Sequence, residues 1–282
     1  KGIKINPNHP EAYYNLGLVC NELSDFEKAI SCYEKAIKIN PKYAEAYNNL
    51  GNSYKSLKNF ETAITYYEKA IEINPNYADA LNNLGVAFKS LENDQEAINC
   101  YKKTIQLEPN HAEAHYNFAI VLKKLGEELK AISYYEKAVK IKTDYADAYN
   151  NLGNCHKDFG DFQKATNCYE QAIKFKPNNL SYLYALSDLK KEILKPDLRS
   201  NIEKIINVKN CIKSNMAFGN FLLAKYENKE KNYEKEISYL IKAHNYYYEL
   251  KKEKFTRQIK YFFELLPNTN VLTDLQKIDE NL

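Results

Sequence analysis

Few side chains in this sequence are spaced for covalent chemistry. Its histidines are His9, His111, His115, His156 and His244, and only His111 and His115 have the i, i+4 spacing at which two imidazoles could share a metal ion. No HExxH surrounds them, and they fall at repeat positions that are mostly tyrosine in the other copies, so a packing or hinge role is expected. Cys155 and His156 are adjacent and leave a helix in different directions, which excludes a nucleophile–base dyad. The six cysteines form no CxxC pair, and Cys32, Cys100 and Cys168 recur 68 residues apart. All read as reduced thiols in a cytoplasmic setting, and Cys20, Cys32, Cys100, Cys155 and Cys168 as small packing residues. No phosphate-binding GxxxxGK[ST] loop and no GxSxG is present. No catalytic residue, metal or cofactor is expected.

Asparagine is the residue type that recurs. In AEAYNNLGNSYKSL (44–57), three asparagines interrupt a helical pattern, although a short amide competes for backbone hydrogen bonds and disfavours helix. Asn15, Asn49, Asn83, Asn117 and Asn151 follow at a constant interval; Asn48, Asn82 and Asn150 precede three of them, and Asn52 and Asn154 lie three residues after two. An amide has two donors and an acceptor with two lone pairs, so a row of them could bond both the N–H and the C=O of an extended peptide. These ten residues are the candidate peptide-binding site. Inheritance from a duplicated ancestor, in a composition rich in lysine, isoleucine and asparagine, would also produce the columns. The unfavourable mid-helix position, and the persistence of Asn117 beside altered neighbours, favour binding.

The elements that would position these amides follow from the period. Rows of 34 residues starting at Pro10, Ala44, Ala78, Ala112 and Ala146 align five copies: 10–43, 44–77, 78–111, 112–145 and 146–179. Column 7 is Leu16, Leu50, Leu84, Phe118 and Leu152, and column 8 is Gly17, Gly51, Gly85, Ala119 and Gly153. Column 20 is always alanine, and column 24 is Tyr33, Tyr67, Tyr101, Tyr135 and Tyr169. Apolar columns 3, 7, 10 and 14 trace a stripe on one helix, and columns 17, 20, 21, 24, 27 and 28 on a second. Proline at column 32 ends the second helix. Asn76 and Asn110 then fall at N-cap positions, with Asp79 and Glu113 completing capping boxes. Period and columns resemble the tetratricopeptide repeat, W-x2-L-G-x2-Y, A-x3-F, P. The fold class expected is an all-α solenoid, a right-handed superhelix of antiparallel helix pairs in which stacking buries the stripes. In that family the first helices line a concave groove, into which columns 2, 5, 6, 9, 12 and 13 point.

Outside the five copies the pattern changes. Pro7 matches column 32, so residues 1–9 read as the end of a preceding repeat, and the apolar stripe left uncovered there makes self-association an expectation. Residues 180–282 read as degenerate repeats and a C-terminal cap or linker. Within them are a first helix over 180–194, a helix over 197–208, a degenerate pair over 220–247 and a last helix ending near Pro267. Glu236 stands where alanine was invariant.

A net charge of +3 with only two arginines, Arg199 and Arg257, is a poor footprint for a nucleic-acid partner, and no apolar run approaches a membrane span. The acidic column 2 (Glu11, Glu45, Asp79, Glu113, Asp147) and the column 12 lysines (Lys55, Lys89, Lys123, Lys157) are both explained by the helix dipole. No copy carries the paired basic residues at columns 2 and 6 used by repeats that clamp acidic chaperone tails. The asparagine row is similar to that of the O-GlcNAc transferase repeat region, which implies a polypeptide ligand. Residues 220–267 loosely resemble the segment joining repeats to a sulfotransferase in bacterial fusions; that resemblance implies a catalytic domain beyond Leu282, with this chain as its substrate-positioning module.

Overall fold

The computed structural model describes residues 8–265, with side chains described across that span except at 253–255 and 257–265. The expectations for residues 1–7 and for a helix end near Pro267 lie outside it. The chain divides into two compact units, Lys1–Ala165 and Thr166–Leu282. Among the described residues every regular element is helical.

The first unit pairs α1 (Pro10–Glu22) with α2 (Phe26–Ile39) and α3 (Ala44–Ser56) with α4 (Phe60–Ile73). It then pairs α5 (Ala78–Ser90) with α6 (Asp94–Leu107) and α7 (Ala112–Lys124) with α8 (Glu128–Ile141), before α9 (Ala146–Asp158). In the first three pairs the column 24 tyrosine lies fully buried on the column 8 glycine. A Cβ added to Gly51 would stand 2.6 Å from Cε1 of Tyr67, so glycine here sets how closely the two helices approach. Between pairs, Leu50 of α3 packs with Ala29 and Tyr33 of α2, and Leu84 of α5 with Ala63 and Tyr67 of α4. Each apolar cluster therefore spans two repeats, and a lone pair would leave its stripe in water. On α1 the corresponding Leu16, and Val19 one turn on, are exposed.

Two local details differ from the sequence reading. The first helices start one residue later than Asn76 and Asn110 would place them. Tyr77 is the N-cap without a side-chain cap bond, and at the next repeat His111 Nδ1 accepts from Ala114 N–H at 3.1 Å. Asparagine is drawn into the preceding turn instead, where Asn74 Oδ1 accepts from Asn76 N–H. The side-chain caps sit on the second helices: Asp25, Asn59 and Asn93 each accept from the backbone N–H three residues on.

In the second unit, α11 (Leu180–Leu189), a 3-10 turn (Lys191–Ile193), α12 (Pro196–Ile206) and α13 (Lys213–Lys229) enclose Leu180, Ile202, Leu222, Leu223 and Tyr226. Between the units' numbering, α10 (Phe162–Phe175) carries the boundary within it. Glu227, buried on α13, is satisfied by Arg199 at 2.5 Å. The separate last helix expected after 247 is absent: α14 runs unbroken over Tyr233–Leu265, since no glycine or proline interrupts that stretch. Glu236, at the column of invariant alanines, accepts from Asn228 Nδ2 at 2.9 Å.

The turn inside each helix pair holds one residue in the left-handed region: Ser24, Lys58 and Glu92 at φ 59–62°, and Gly126 and Gly160 at φ 78–79°. A side chain there is strained, whereas glycine is not. Glu92→Gly should therefore raise unfolding free energy by about 1 kcal/mol in urea titration, and Gly126→Ala should lower it by about the same amount.

Candidate functional site

The asparagine columns lie on the first helices. Successive first helices α1, α3, α5 and α7 approach one another more closely than the second helices do, so the first-helix side is the inside of the curve in this unit. There the amides bond from repeat to repeat in one register. Asn49 Nδ2 donates to the Tyr14 hydroxyl at 2.9 Å, Asn83 to Asn48 Oδ1 at 3.1 Å, Asn117 to Asn82 Oδ1 at 3.2 Å, and Asn151 to the Tyr116 hydroxyl at 3.2 Å. Every bond joins column 6 to column 5 of the preceding copy. An amide that costs helix propensity is thus repaid by a hydrogen bond between helices.

Not all of these amides are open to the groove into which their columns were expected to point. Asn48, Asn82 and Asn117 are only 5%, 4% and 9% exposed. Asn49, Asn83 and Asn151 are half-buried, and Asn15 is exposed. Asn150 is half-buried, with Oδ1 enclosed and lacking a hydrogen-bond partner. Thirty-five positions on, the sequence has Ala185 rather than an amide.

Column 9 has its own duty. Asn52 Oδ1 accepts from the Tyr67 hydroxyl at 2.9 Å, and Asn52 Nδ2 donates to Asn49 Oδ1 at 3.2 Å. Asn154 is half-buried and also partnered. Where column 9 is apolar, as Leu18 and Val86, the hydroxyls of Tyr33 and Tyr101 are buried with no partner.

The column 12 lysines were the residues undervalued by the dipole account. Lys55 Nζ donates to Asn83 Oδ1 at 3.1 Å, and Lys89 Nζ to Asn117 Oδ1 at 3.2 Å. Burial pushes both ammonium groups below the ordinary lysine range. The signal available in the sequence was the constant 28-residue offset from Lys55, Lys89 and Lys123 to the next column 6 asparagine. Lys123 differs, pairing with Asp158 at 2.8 Å.

The histidines are occupied structurally. Besides its cap, His111 Nε2 lies 3.1 Å from Asp79 Oδ1, and buried His115 sets Nε2 2.8 Å from the Pro109 carbonyl. In the second unit a cleft of about 690 Å³ opens beside Tyr184, Leu194, Phe221 and Leu240. Its polar rim is largely satisfied internally: Lys225 donates to Ser187 and Asp188, and Asn228 to Glu236. The inner face of the first unit is therefore the better candidate. No helix among the described residues is long and apolar enough to cross a membrane.

Tyrosine-to-phenylalanine substitutions test the role of column 9. Tyr67→Phe should destabilise by about 1 kcal/mol, because Asn52 loses its donor, whereas Tyr101→Phe should be neutral or stabilising because it deletes an orphaned buried hydroxyl. Thermal and urea unfolding of the two variants would show the opposite signs.

Models of the tetratricopeptide repeat match residues 44–77, 78–111, 110–178 and 1–31, and a TPR repeat model matches 17–58. No curated protein matches the chain. Among solved structures, the chain is 28% identical to the MamA protein, covering 61% of this chain and 94% of that one at TM-score 0.50. It is 25% identical to YrrB, described as a TPR protein with an unusual peptide-binding site, covering 65% and 95% at TM-score 0.50. It shares its fold with pilF of Pseudomonas aeruginosa at 20% identity, covering 71% and 93% at TM-score 0.63. With its five in-phase copies, its helix pairs and these matches, the chain belongs to the tetratricopeptide-repeat family and is a protein–protein interaction scaffold.

Proposed function

We propose that the inner face of the first unit holds an extended polypeptide by its main chain. The column 6 amides of Asn15, Asn49, Asn83 and Asn151 are the anchors, with Asn52 and Asn154 beside them and buried Asn117 holding the row in register. Asn48 and Asn82 act behind this row, as ladder positions rather than contacts, and Asn150 occupies the same column without a ladder bond. The observation that carries this reading is the arithmetic of the ladder. An amide has two N–H groups and two lone pairs. Asn49 and Asn83 each spend one N–H on the preceding repeat and accept one bond, from Asn52 and Lys55 respectively. Each keeps one donor and one acceptor, and both remain half-buried rather than enclosed. The ladder orients the amides in advance, which lowers the entropy lost on binding. The peptide-binding site named for YrrB supports the same use of this fold.

A short fluorescent peptide, selected from a random library for binding to the full chain, provides the probe. Asn49→Ala with Asn83→Ala should weaken binding by about tenfold or more, the effect of losing two main-chain contacts. Tyr14→Phe with Asn48→Ala breaks the same two ladder bonds from the other side and should cost similar stability but weaken binding less, because the anchoring amides remain and lose only their orientation. N-methylation of alternate peptide amides should abolish binding. Equal loss of affinity in both double variants, or indifference to N-methylation, would leave the amides a purely structural role.

A further inference from the structure

The inner face has two edges of opposite charge. Along one, at the start of the first helices, stand Glu11, Glu45, Asp79, Glu113 and Asp147; along the other, near their ends, stand Lys55, Lys89, Lys123 and Lys157. Columns 2 and 12 are ten residues apart on a helix, which separates the edges by roughly 15 Å. Some of these charges have polar partners within the chain: Glu11 lies 2.7 Å from His9 Nδ1, Asp79 3.1 Å from His111 Nε2, and Lys123 pairs with Asp158 at 2.8 Å. Lys55 and Lys89 bond only an amide oxygen, and among the described residues no carboxylate lies at ion-pair distance from either. Glu45 and Glu113 are exposed, and Glu113 acts on Lys55 across the face. Two part-buried ammonium groups and two carboxylates thus face the space that the amide row lines, and their fields add along a concave surface.

An extended chain converts this into a sequence preference. Along a strand, backbone N–H and C=O groups point sideways, perpendicular to the side chains, and successive side chains point to opposite sides. A strand whose main chain bonds the amide row must therefore send its side chains alternately to the lysine edge and to the carboxylate edge.

We infer that the partner segment recognised by this face is an extended peptide of alternating charge, with acidic residues toward Lys55 and Lys89 and basic residues toward Glu45 and Glu113. The inference rests on the main-chain reading proposed above and adds the class of sequence that it selects. A uniformly acidic or basic segment would meet repulsion at one edge. A segment with charges in blocks of two would place both signs at each edge.

Three labelled peptides of equal length test this against the full chain by fluorescence anisotropy. One alternates Glu-Lys, one repeats Glu-Glu-Lys-Lys with the same composition, and one alternates Gln-Ser; circular dichroism confirms that none is helical. The alternating peptide should bind about tenfold tighter than the blocked one, with the difference shrinking as salt rises. Lys55→Gln with Lys89→Gln should erase the preference. Glu45→Gln with Glu113→Gln, at exposed positions, should erase it as well and keeps the test decisive if the lysine variant unfolds. Equal binding of all three peptides, still sensitive to main-chain N-methylation, would overturn the charge inference and leave the main-chain reading standing. Binding of none would overturn both.

Discussion

The contact between a tyrosine ring and a glycine on the facing helix is the constraint on which the first unit depends. Tyr33, Tyr67 and Tyr101 lie on Gly17, Gly51 and Gly85 so closely that a single added Cβ would overlap the ring. This fixes the separation of the two helices in a pair, and the pair then offers a stripe it cannot bury alone. Leu50 against Tyr33 and Leu84 against Tyr67 supply the cover from the next copy. Repetition of one close contact thereby brings every first helix beside the next in the same register, and the column 6 to column 5 bonds become possible. The fourth copy has Ala119 and Tyr135 at the same two columns, and both are buried.

The asparagines resolve a conflict between local and long-range preference. Within a helix they are poor formers; between helices they are among the few side chains able to donate and accept at once. Burial of Asn48, Asn82 and Asn117 makes them part of the structure that holds the repeats in register. The same bonds leave Asn49 and Asn83 each with one donor and one acceptor unspent. Variants of this row must therefore be read with stability and affinity measured together.

The second unit follows different rules. Its core around Ile202, Leu222 and Tyr226 lacks the tyrosine-on-glycine contact, and Gly219 instead admits Ile206, whose Cγ2 would lie 2.4 Å from an added Cβ. Buried Glu227 needs Arg199 beside it, since an unpaired carboxylate there would carry a large desolvation cost. Glu236 turns to Asn228 rather than into a helix pair. Each departure from the repeat is matched by a partner specific to that position.

Much was legible in the sequence because a repeat repeats its physics. Interval, apolar stripes, glycine at column 8, tyrosine at column 24 and proline at column 32 are local in the chain, and together they determine helix pairs and stacking. The asparagine row was visible for the same reason. Its partners were not: Asn83 with Asn48, or Lys55 with Asn83, join residues 35 and 28 positions apart on different helices. Only the angle and offset at which the helices pack decide whether such groups meet. The N-caps at Tyr77 and His111 escaped for a smaller version of that reason, since Asn74 and Asn76 were both able to end or begin a turn. The sequence by itself thus determined which faces are apolar and where amides recur. Tertiary structure alone decided which amides are enclosed and which lysines lack a carboxylate, because burial and pairing are properties of neighbours brought together by packing.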